Sequence, residues 1–516
     1  MQKCWEVCSD NATFLTEFVY YLLEECEMVT TYKNYINGNW ISSKSGKTFE
    51  SLNPATEQVV GKFQKSTRDE TKKVIQTAKK AFPNWRDTPA PQRAKYLYKI
   101  KELLIKNKEK LAKIEVEEMG KVITEARGDV QEAIDIFDYM AGEGRRLLGY
   151  TTKSELPNKF AMTVRNPVGV VGLITPWNFP IAIPAWKIAP ALICGNSIVF
   201  KPSSDTPLCA IELAKIIEQA GVPKGVFNLI TGGGREVGDE IIRNNETLAI
   251  SFTGSEATGQ YLVKNAGIKK VGLELGGKNV IIIMEDANLE LAVDGVLWGA
   301  FGTTGQRCTA SSRVIVHDKV KNKFEKMLVQ RVKKLKLGYG MKADVGPLIN
   351  KAAVEKSAKY VATWKREGAK LLYGGKPVKI KGKGYFFEPT IFTNALSKMK
   401  ICQEEIFGPV LSIMGVKNFE EAVKIANGVE YGLSSAIYTE NMKYAFRAIN
   451  EVETGLTYIN SSTIGAEIHL PFGGVKKTGN GTREAGIEGI HEFSETKTVY
   501  FDYSGKLQKA QIDNGE

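Results

Sequence analysis

The sequence predicts an α/β protein built on parallel sheets. Between residues 168 and 252, short apolar runs rich in Val and Ile alternate with helical segments, and residues 279–317 repeat the alternation. Apolar runs of this kind suit strands that are buried on both faces. Strands joined by single helices form right-handed βαβ units, and such sheets bind ligands at the carboxyl ends of their strands.

The first stretch predicts four strands and two helices. Its strands are brief and apolar, as in the run Val-Gly-Val-Val-Gly-Leu-Ile. The predicted order is strand 168–174, helix 184–192, strand 197–200, helix 211–220, strand 226–230 and strand 249–252. This alternation predicts one parallel sheet with helices packed against it.

The second stretch predicts a strand at 279–284, a helix at 289–302 and a strand at 311–317. Cys308 lies between that helix and the last strand, where a loop can expose its thiol. Near the C-terminus, the alternating residues 497–501 (Lys-Thr-Val-Tyr-Phe) predict an edge strand that pairs with another subunit.

The composition is that of an ordinary globular protein. The chain has 516 residues, 43% of them hydrophobic and 25% charged, which is enough for two or three domains with their own cores. Seven scattered Cys and three His argue against a disulfide framework or a His-based metal site. We therefore expect no metal and a reducing compartment, the cytoplasm.

The net charge of +12 does not by itself indicate a nucleic-acid partner. The basic residues are dispersed through amphipathic helical stretches such as 96–113, which is typical of a solvated surface. No apolar run reaches membrane-spanning length, and repeats are absent. We expect neither nucleic acid nor membrane as a partner.

The first 27 residues differ from the rest of the chain. They hold three of the seven Cys and a short apolar run flanked by acidic residues, which makes a poor secretory signal. We interpret residues 1–27 as an extension, and Met28 as a candidate for the true start. The tail from Gly505 onward is expected to be disordered.

Two residues in separate Gly-rich segments predict covalent catalysis. Cys308 follows Gly305-Gln306-Arg307, and Glu274 lies in Leu-Glu-Leu-Gly-Gly-Lys at 273–278. A thiolate can attack a carbonyl carbon, and a nearby carboxylate can deprotonate the thiol or the water that later releases the product. The pair predicts a thioester intermediate that is hydrolysed.

The chain resembles the aldehyde dehydrogenase superfamily from about residue 32 to about residue 503. Besides the two segments above, five further segments match in the family's order. They are Pro176-Trp177-Asn178-Phe179-Pro180, Lys201-Pro202-Ser203, Phe252-Thr253-Gly254-Ser255, Glu404-Glu405-Ile406-Phe407-Gly408-Pro409 and Pro471-Phe472-Gly473-Gly474. Within the superfamily, the chain resembles the semialdehyde dehydrogenases, and its loop 464–470 is similar to the loops of members that act on semialdehydes of dicarboxylic acids.

The resemblance implies three structural parts. A Rossmann-like cofactor domain would comprise residues 28–150 and 166–275, and an α/β catalytic domain residues 276–490. A β-rich oligomerisation arm would comprise 151–165 and 491–504, with a flexible tail at 505–516. The family also implies a homodimer or homotetramer.

The resemblance assigns three catalytic roles. Cys308 would attack the aldehyde, and Asn178 with the backbone N–H of Cys308 would donate to the oxyanion. Hydride transfer to NADP or NAD would leave a thioester, and Glu274 would then activate water.

The resemblance also implies the residues that bind the cofactor. The Gly-rich segment 231–238 has the spacing G-x-G-x-x-x-G, so alone it fits a tight turn as well as a dinucleotide site. The family places phosphate nearer the turn at Gly254 and Ser255, where a helix start supplies free N–H groups. The implied set is Thr175, Pro176, Trp177, Lys201, Ser203, Ser204, Gly234, Gly238, Phe252, Gly254, Ser255, Leu275, Gly276, Glu405 and Phe407.

Ser204 departs from the commonest family pattern, which has Glu at this place. A Glu would accept from the ribose 2′-hydroxyl and repel a 2′-phosphate, and such like-charge contacts cost several kcal/mol. Ser204 removes that repulsion. We therefore expect NADP to be accepted, alone or together with NAD.

Arg307 is the best sequence clue to the substrate. In relatives whose substrates carry a distal anion, an Arg beside the nucleophile often binds it, and a guanidinium suits bidentate capture. Phe179, Trp186 and Phe472 would supply apolar walls. We expect the semialdehyde of a dicarboxylic acid, with succinate semialdehyde and 2-oxoglutarate semialdehyde as leading candidates.

Several alternatives stay open at this point. Arg beside the nucleophilic Cys is shared with non-phosphorylating glyceraldehyde-3-phosphate dehydrogenase, and a broad-specificity aldehyde dehydrogenase would also fit. A relative that transfers the acyl group to coenzyme A typically lacks the base, so the presence of Glu274 argues against it. A non-catalytic protein on this fold would lack the nucleophile, so the presence of Cys308 argues against that alternative as well.

Overall fold

Two seven-stranded sheets organise the chain in the computed structural model, which describes residues 29–512. The N-terminal third contributes a hairpin, three long helices and part of a small sheet. Its elements are β1 Asn34–Ile36, β2 Asn39–Ile41, β3 Thr48–Leu52, β4 Val59–Gln64, α1 Arg68–Asp87, α2 Ala90–Met119, α3 Ile123–Glu143, β5 Thr151–Lys153 and β6 Lys159–Pro167. Helix α3 packs against α2 and against the next helix along the chain.

The first large sheet has the order β11-β10-β7-β8-β9-β1-β2. Its strands β7 to β11 pair in parallel, because each is joined to another through a helix or a helical turn. The elements of this part are β7 Val170–Ile174, α4 Ala182–Cys194, β8 Ser197–Lys201, α5 Pro207–Gln219, β9 Phe227–Leu229, α6 Asp239–Arg243, β10 Ala249–Thr253, α7 Glu256–Ala266 and β11 Lys270–Glu274. The four strands and two helices predicted here are confirmed, with shifted ends.

Two features of this sheet differ from the sequence prediction. The hairpin β1–β2 extends the sheet in antiparallel fashion, closed by Asn37 and Gly38, which both have left-handed φ of 52° and 73°. An Asn-Gly pair is the usual signal for such a turn. Strand β11 was not predicted, because its sequence Lys-Val-Gly-Leu-Glu mixes charged and apolar residues.

The second large sheet has the order β14-β17-β18-β13-β12-β20-β21 and is parallel except for β14. Its first elements are β12 Asn279–Ile283, α8 Leu289–Phe301, β13 Ser311–His317, α9 Asp318–Val332, α10 Lys351–Glu367, β14 Lys370–Tyr373, β15 Pro377–Ile380, β16 Lys383–Phe387, β17 Thr390–Thr393 and α11 Lys400–Gln403. The rest are β18 Val410–Val416, α12 Phe419–Asn427, β19 Tyr431–Gly432, β20 Ser434–Tyr438, α13 Met442–Glu451, β21 Leu456–Ile459, β22 Val475–Lys476, α14 Gly486–Glu492 and β23 Ser494–Asp502.

Strand β12 shows why the strands of this sheet have continuous apolar sequences. Val280 and Ile282 pack into one hydrophobic cluster, whereas Ile281 and Ile283 pack into a second cluster on the opposite face. A strand with helices on both faces needs apolar residues at every position. The predicted strand, helix and strand between residues 279 and 317 are confirmed.

The end of the chain returns to the first sheet before it forms the last strand of a separate small sheet. The backbone N–H of Leu275 donates to the carbonyl oxygen of Thr478 at 2.7 Å, and α14 packs on α4. Strand β23 then pairs with β6 over nine residues, in a separate sheet of order β23-β6-β5. Its side chains Tyr500 and Phe501 are 66% and 65% exposed.

The extremes of the chain lie partly outside the described residues. The predictions for residues 1–27 and for the last four residues of the tail cannot be compared with the structure. Residues 505–512 contain no helix or strand, and the Gln508 amide donates to the Pro157 carbonyl oxygen at 2.8 Å. Within residues 29–512, no helix has the length and apolar character needed to cross a bilayer. The same residues contain no metal-binding group of His, Cys, Asp and Glu.

Candidate active site

Cys308 lies in the loop between α8 and β13, as predicted, and is partly exposed. The Asn279 side-chain amide donates to the carbonyl oxygen of Cys308 at 2.6 Å and to that of Ala310 at 3.0 Å. The Gln306 side chain accepts from the Ile349 N–H at 2.9 Å. These bonds fix the loop from elements on both sides of it.

The backbone before Cys308 is strained. Thr303 and Thr304 lie in a short helical turn after α8 with φ of 49° and 58°, in the left-handed region. β-Branched residues rarely adopt this conformation, and each instance costs about 1–3 kcal/mol. The surrounding structure must therefore hold the loop in place.

Gly276 and Gly277 allow the Glu274 segment to approach the Cys308 loop. A Cβ atom at Gly277 would lie 2.5 Å from the Cys308 carbonyl oxygen, and one at Gly276 would clash with the Glu405 carboxylate. The Gly277 N–H donates to Glu405 at 2.8 Å. A side chain at position 277 would collide with backbone, and one at position 276 would displace the Glu405 carboxylate.

Glu274 is the last residue of β11 and is 3% exposed. Neither of its carboxyl oxygens has a hydrogen-bond partner in the described part of the chain. Burial, together with the nearby Glu484 carboxylate, raises the pKa of Glu274 well above its usual range, and the Lys187 ammonium opposes the shift. Lys187 is buried, pairs with Glu484 and donates to Ser251 at 2.8 Å.

The surroundings of the Cys308 side chain disfavour its thiolate form. Burial, with the Glu274 and Glu405 carboxylates, raises the pKa of Cys308 to about 12. Two adjacent anions in a poorly solvated site disfavour each other. The thiol therefore needs a base, or a positive charge brought next to it, before it becomes a nucleophile.

Asn178 reaches the same loop from the first sheet. Its side-chain N–H donates to the Gln306 carbonyl oxygen at 3.1 Å, and its amide oxygen has no partner in the described structure. An amide nitrogen carries two hydrogens, so a second donor remains for a substrate oxygen. Asn178 is 3% exposed.

A cavity of about 1180 Å³ lies at the carboxyl ends of β7, β8, β10 and β11. Asn178 and Cys308 line it, and so do all fifteen residues that the sequence predicted to bind the cofactor. They meet because parallel strands end at the same edge of a sheet. Glu274 is not among the lining residues.

Lys201 and Ser255, two of the predicted cofactor residues, both line the cavity. Burial lowers the pKa of Lys201 to about 8, and its ammonium donates to the Pro202 carbonyl oxygen at 2.8 Å. Ser255 caps α7 by accepting from the Thr258 N–H, which leaves other N–H groups of the first turn free. The Gly-rich segment forms a π-helical turn, Gly234–Gly238, that leads into α6.

The cavity also contains residues that sequence reasoning missed. Arg68 begins α1 and pairs with Asp239 at 2.6 Å, while the exposed Arg235 lies beside them. Although burial alone would raise it, hydrogen bonds from Tyr261, Arg243 and Arg68 lower the pKa of Asp239 to about 2. Arg235 lies within the Gly-rich segment 231–238 but is not one of its glycines. Arg68 and Asp239 lie in no motif, and only the tertiary fold brings them together. The other missed polar residues are Asp205, Thr253, Thr258, Tyr261, Asn350 and Lys356.

The four predicted substrate residues lie outside the set that lines this cavity and form two groups. The Trp186 and Phe472 rings contact edge to face at 5.3 Å between centroids. The Arg307 guanidinium lies 5.1 Å from the Phe179 ring centroid and 4.7 Å from that of Trp298. Phe179 and Trp298 thus contact the Arg307 guanidinium, while Trp186 and Phe472 contact each other.

Arg307 already has protein partners. Its Nε donates to the Thr303 hydroxyl at 2.8 Å, and its Nη2 lies 3.7 Å from a Glu125 carboxyl oxygen. The side chain is only 12% exposed. Burial raises the pKa of Glu132 to about 7, and the Arg307 charge opposes that shift.

Comparison with known proteins identifies the family. Residues 40–499 match the model of the aldehyde dehydrogenase family. The chain belongs to the aldehyde dehydrogenase family. The predicted family, the α/β fold and the dependence on NAD(P) are thereby confirmed, and this aldehyde dehydrogenase is an oxidoreductase.

Individual relatives are similar to this aldehyde dehydrogenase over almost their whole length. The alpha-ketoglutarate semialdehyde dehydrogenase of Haloferax volcanii is 43% identical over 91% of this chain and 99% of its own. The D-glyceraldehyde dehydrogenase (NADP(+)) of Thermoplasma acidophilum is 40% identical, with coverages of 92% and 97%. The structure of betaine aldehyde dehydrogenase from Staphylococcus aureus with NAD⁺ superimposes with a TM-score of 0.90, at 37% identity and coverages of 94% and 97%.

The raised pKa of the Cys308 thiol predicts how it reacts without cofactor. The rate of alkylation by iodoacetamide should rise about tenfold per pH unit from about pH 7 to about pH 9, because the thiolate fraction grows throughout that range. Mass spectrometry of the peptide that contains Cys308 measures the rate. The buried Cys194 serves as an internal control that stays unmodified. A plateau near neutral pH would show that the thiolate is already formed.

Proposed function

We propose that the chain oxidises an aldehyde to a carboxylic acid through a thioester on Cys308. The observation that carries this proposal is one cavity that brings Cys308 and Asn178 together with all fifteen predicted cofactor residues. The buried carboxyl of Glu274 lies close enough to raise the pKa of the Cys308 thiol. An acyl group formed on Cys308 would thus lie near a candidate base.

The first step forms a carbon–sulfur bond. The Cys308 thiolate attacks the aldehyde carbon, and the carbonyl π electrons move to the oxygen, which becomes an oxyanion. The free N–H of the Asn178 amide and the backbone N–H of Cys308 are the proposed donors to that oxyanion. Donors fixed in advance stabilise the charge more than water would.

The residues around the cavity fit a dinucleotide. The hydroxyls of Thr175 and Thr253 are buried, line the cavity and have no partner in the described protein. The Trp177 and Phe407 rings meet edge to face at 5.5 Å beside the Glu405 carboxylate. When bound, NADP or NAD supplies a positively charged nicotinamide ring that accepts a hydride.

We propose that Lys201, Ser203 and the start of α7 at Ser255 hold the adenosine and phosphate groups. Glu405 and Phe407 would hold the nicotinamide ribose and ring. A positive charge brought next to Cys308 lowers the pKa of the thiol, since an opposite charge favours the thiolate. Nucleophile formation would thus be coupled to cofactor binding.

The last step is hydrolysis of the thioester. Glu274 takes a proton from water, the resulting hydroxide bonds to the acyl carbon, and the carbon–sulfur electrons return to Cys308 as a thiolate. The raised pKa of Glu274 makes it a stronger base once it is ionised. The products are the carboxylic acid and the reduced cofactor.

Ser204 supports the acceptance of NADP. It is exposed on the cavity wall, which Arg68 and Arg235 also line. The carboxyl of the adjacent Asp205 accepts from the Asn350 amide at 3.2 Å. The basic side chains and the missing carboxylate at position 204 favour a 2′-phosphate.

We propose an acid semialdehyde as the substrate, with 2-oxoglutarate semialdehyde and succinate semialdehyde as candidates. The name of the Haloferax volcanii relative supports this class. Arg307 supplies a guanidinium beside the nucleophile, framed by Phe179 and Trp298. A distal carboxylate would pair with it in a poorly solvated site.

A short uncharged aldehyde is the second candidate. Glu125 and Glu132 already face Arg307, which reduces its capacity for an anion. The Thermoplasma acidophilum relative is a D-glyceraldehyde dehydrogenase. The two candidates differ in substrate charge, so one substitution separates them.

We further propose a homodimer or homotetramer joined through the arm. The edge strand β23 exposes Tyr500 and Phe501, which suits pairing with another subunit. Cys194, Cys209 and Cys402 are buried and, like Cys308, unpaired, which suits the reducing cytoplasm proposed for the enzyme.

The substitution Ser204→Glu should shift cofactor preference toward NAD. The new carboxylate would accept from the ribose hydroxyls and repel a 2′-phosphate, so the ratio of kcat/KM for NADP to that for NAD should fall about tenfold or more. Ser204→Gln has a similar size without the charge and serves as the control. An unchanged ratio in the Glu variant would place cofactor discrimination elsewhere.

The substitution Arg307→Leu tests the substrate class. For succinate semialdehyde it should cost roughly 2 to 4 kcal/mol in kcat/KM, as expected for the loss of a buried charge-assisted pair. Butanal and glyceraldehyde lack the carboxylate and should lose much less. Steady-state formation of reduced cofactor measures all three, and Cys308→Ala gives the uncatalysed background.

The difference between the substrate classes decides the outcome. Because Arg307 also contacts Thr303, any disturbance of the nucleophile loop lowers all three rates together. Equal losses for acid and neutral aldehydes would reject the anion site and favour the uncharged substrate. Full activity of Cys308→Ala would reject the covalent mechanism itself.

A further inference from the structure

Glu125 extends from the first turn of α3 into the loop that precedes Cys308. Its two carboxyl oxygens accept from the Thr303 backbone N–H at 2.9 and 3.0 Å. One of them also accepts from the Thr303 hydroxyl at 3.0 Å. Glu125 is buried, so these bonds form away from bulk water. A single carboxylate thus holds both polar groups of Thr303 that can donate.

Thr303 needs such an anchor because of its backbone conformation. Thr303 and Thr304 are consecutive β-branched residues with left-handed φ. Such residues relax to other conformations unless their surroundings determine them. Thr304 is held by a separate hydrogen bond, in which its hydroxyl donates to the Gly346 carbonyl oxygen at 3.0 Å. Glu125 accepts every hydrogen bond that Thr303 donates, whereas Arg307 and Gln306 donate to the Thr303 oxygens.

The anchor is connected to the residue next to the nucleophile. The Thr303 hydroxyl accepts from Arg307 Nε at 2.8 Å, and Arg307 Nη2 lies 3.7 Å from the same Glu125 carboxylate. The Arg307 guanidinium is further held between the Trp298 and Phe179 rings. Arg307 is covalently joined to Cys308, so movement of Thr303 would move the thiol.

We propose that Glu125 is a positioning residue, which holds the strained Thr303–Thr304 turn and through Arg307 sets the place of the Cys308 thiol. The inference rests on the proposed role of Cys308 as the nucleophile. Glu125 does not touch the reacting atoms, because its oxygens are occupied by Thr303 and Arg307. Glu125 therefore affects the rate of reaction at Cys308 and not the groups proposed to hold the dinucleotide.

The substitution Glu125→Ala should lower kcat at least about tenfold, because a small displacement of a reacting group greatly lowers the rate of reaction. The Kd for NADP, measured by fluorescence without aldehyde, should stay within about twofold. Glu125→Gln keeps one oxygen acceptor for the Thr303 N–H and should lose less than Glu125→Ala. Glu212→Ala is the matched control: it removes a buried, ion-paired carboxylate on α5 and should leave kcat unchanged.

A rescue experiment separates positioning from a general loss of stability. Asn adopts the left-handed conformation more readily than Thr. The change Thr303→Asn made on top of Glu125→Ala should therefore recover at least about threefold of the lost kcat, since the turn then needs less restraint. A carboxylate that only stabilises the fold would give no such recovery.

Alkylation of Cys308 by iodoacetamide supplies a measurement that does not require turnover. Its rate in Glu125→Ala should differ at least about fivefold from the wild-type rate, and Thr303→Asn should return it toward wild type. Unchanged alkylation and unchanged kcat in Glu125→Ala would overturn the proposal. Full activity of Cys308→Ala would instead reject the nucleophile, so the two failures are distinguishable.

Discussion

The close approach of two backbone segments is the constraint on which the site depends. Gly277 passes so near the Cys308 carbonyl oxygen that a side chain there would collide with it, while Gly276 lies against the Glu405 carboxylate. This approach joins the end of β11 in the first sheet to the loop before β13 in the second. The candidate nucleophile, the candidate base and the cofactor cavity therefore occupy one junction between the sheets.

Burial sets the chemistry of that junction. The pKa values of Cys308 and Glu274 are both raised by burial and by neighbouring carboxylates, so neither group is readily charged in the protein alone. Lys187, paired with Glu484, is the buried cation that opposes the shift at Glu274. The loop that carries the thiol is itself strained at Thr303. The structure thus combines a candidate nucleophile whose thiolate is disfavoured with a backbone turn that its neighbours restrain.

The sequence predicted those parts of the site that lie in local motifs. Parallel strands can be recognised from neighbouring residues, and the family resemblance, which rests on short local motifs, implied the candidate cofactor residues that meet in one cavity. Glu125 and Arg68 could not be found in this way, because each is a single charged residue on a helix whose partners lie far away in the chain. Strand β11 was missed because its charged and apolar residues do not alternate. The antiparallel hairpin was signalled by Asn37-Gly38, but its place at the sheet edge depends on tertiary pairing with β9.

The central claim is that the aldehyde becomes covalently attached to Cys308 and that Glu274 is needed to release it. The most direct test mixes Glu274→Gln with succinate semialdehyde and NADP, quenches the reaction in acid and measures the intact protein mass. The account predicts one acyl group per chain, located on the peptide that contains Cys308, with one equivalent of reduced cofactor. Sustained turnover without an adduct, or an adduct that persists in the additional variant Cys308→Ala, would contradict it.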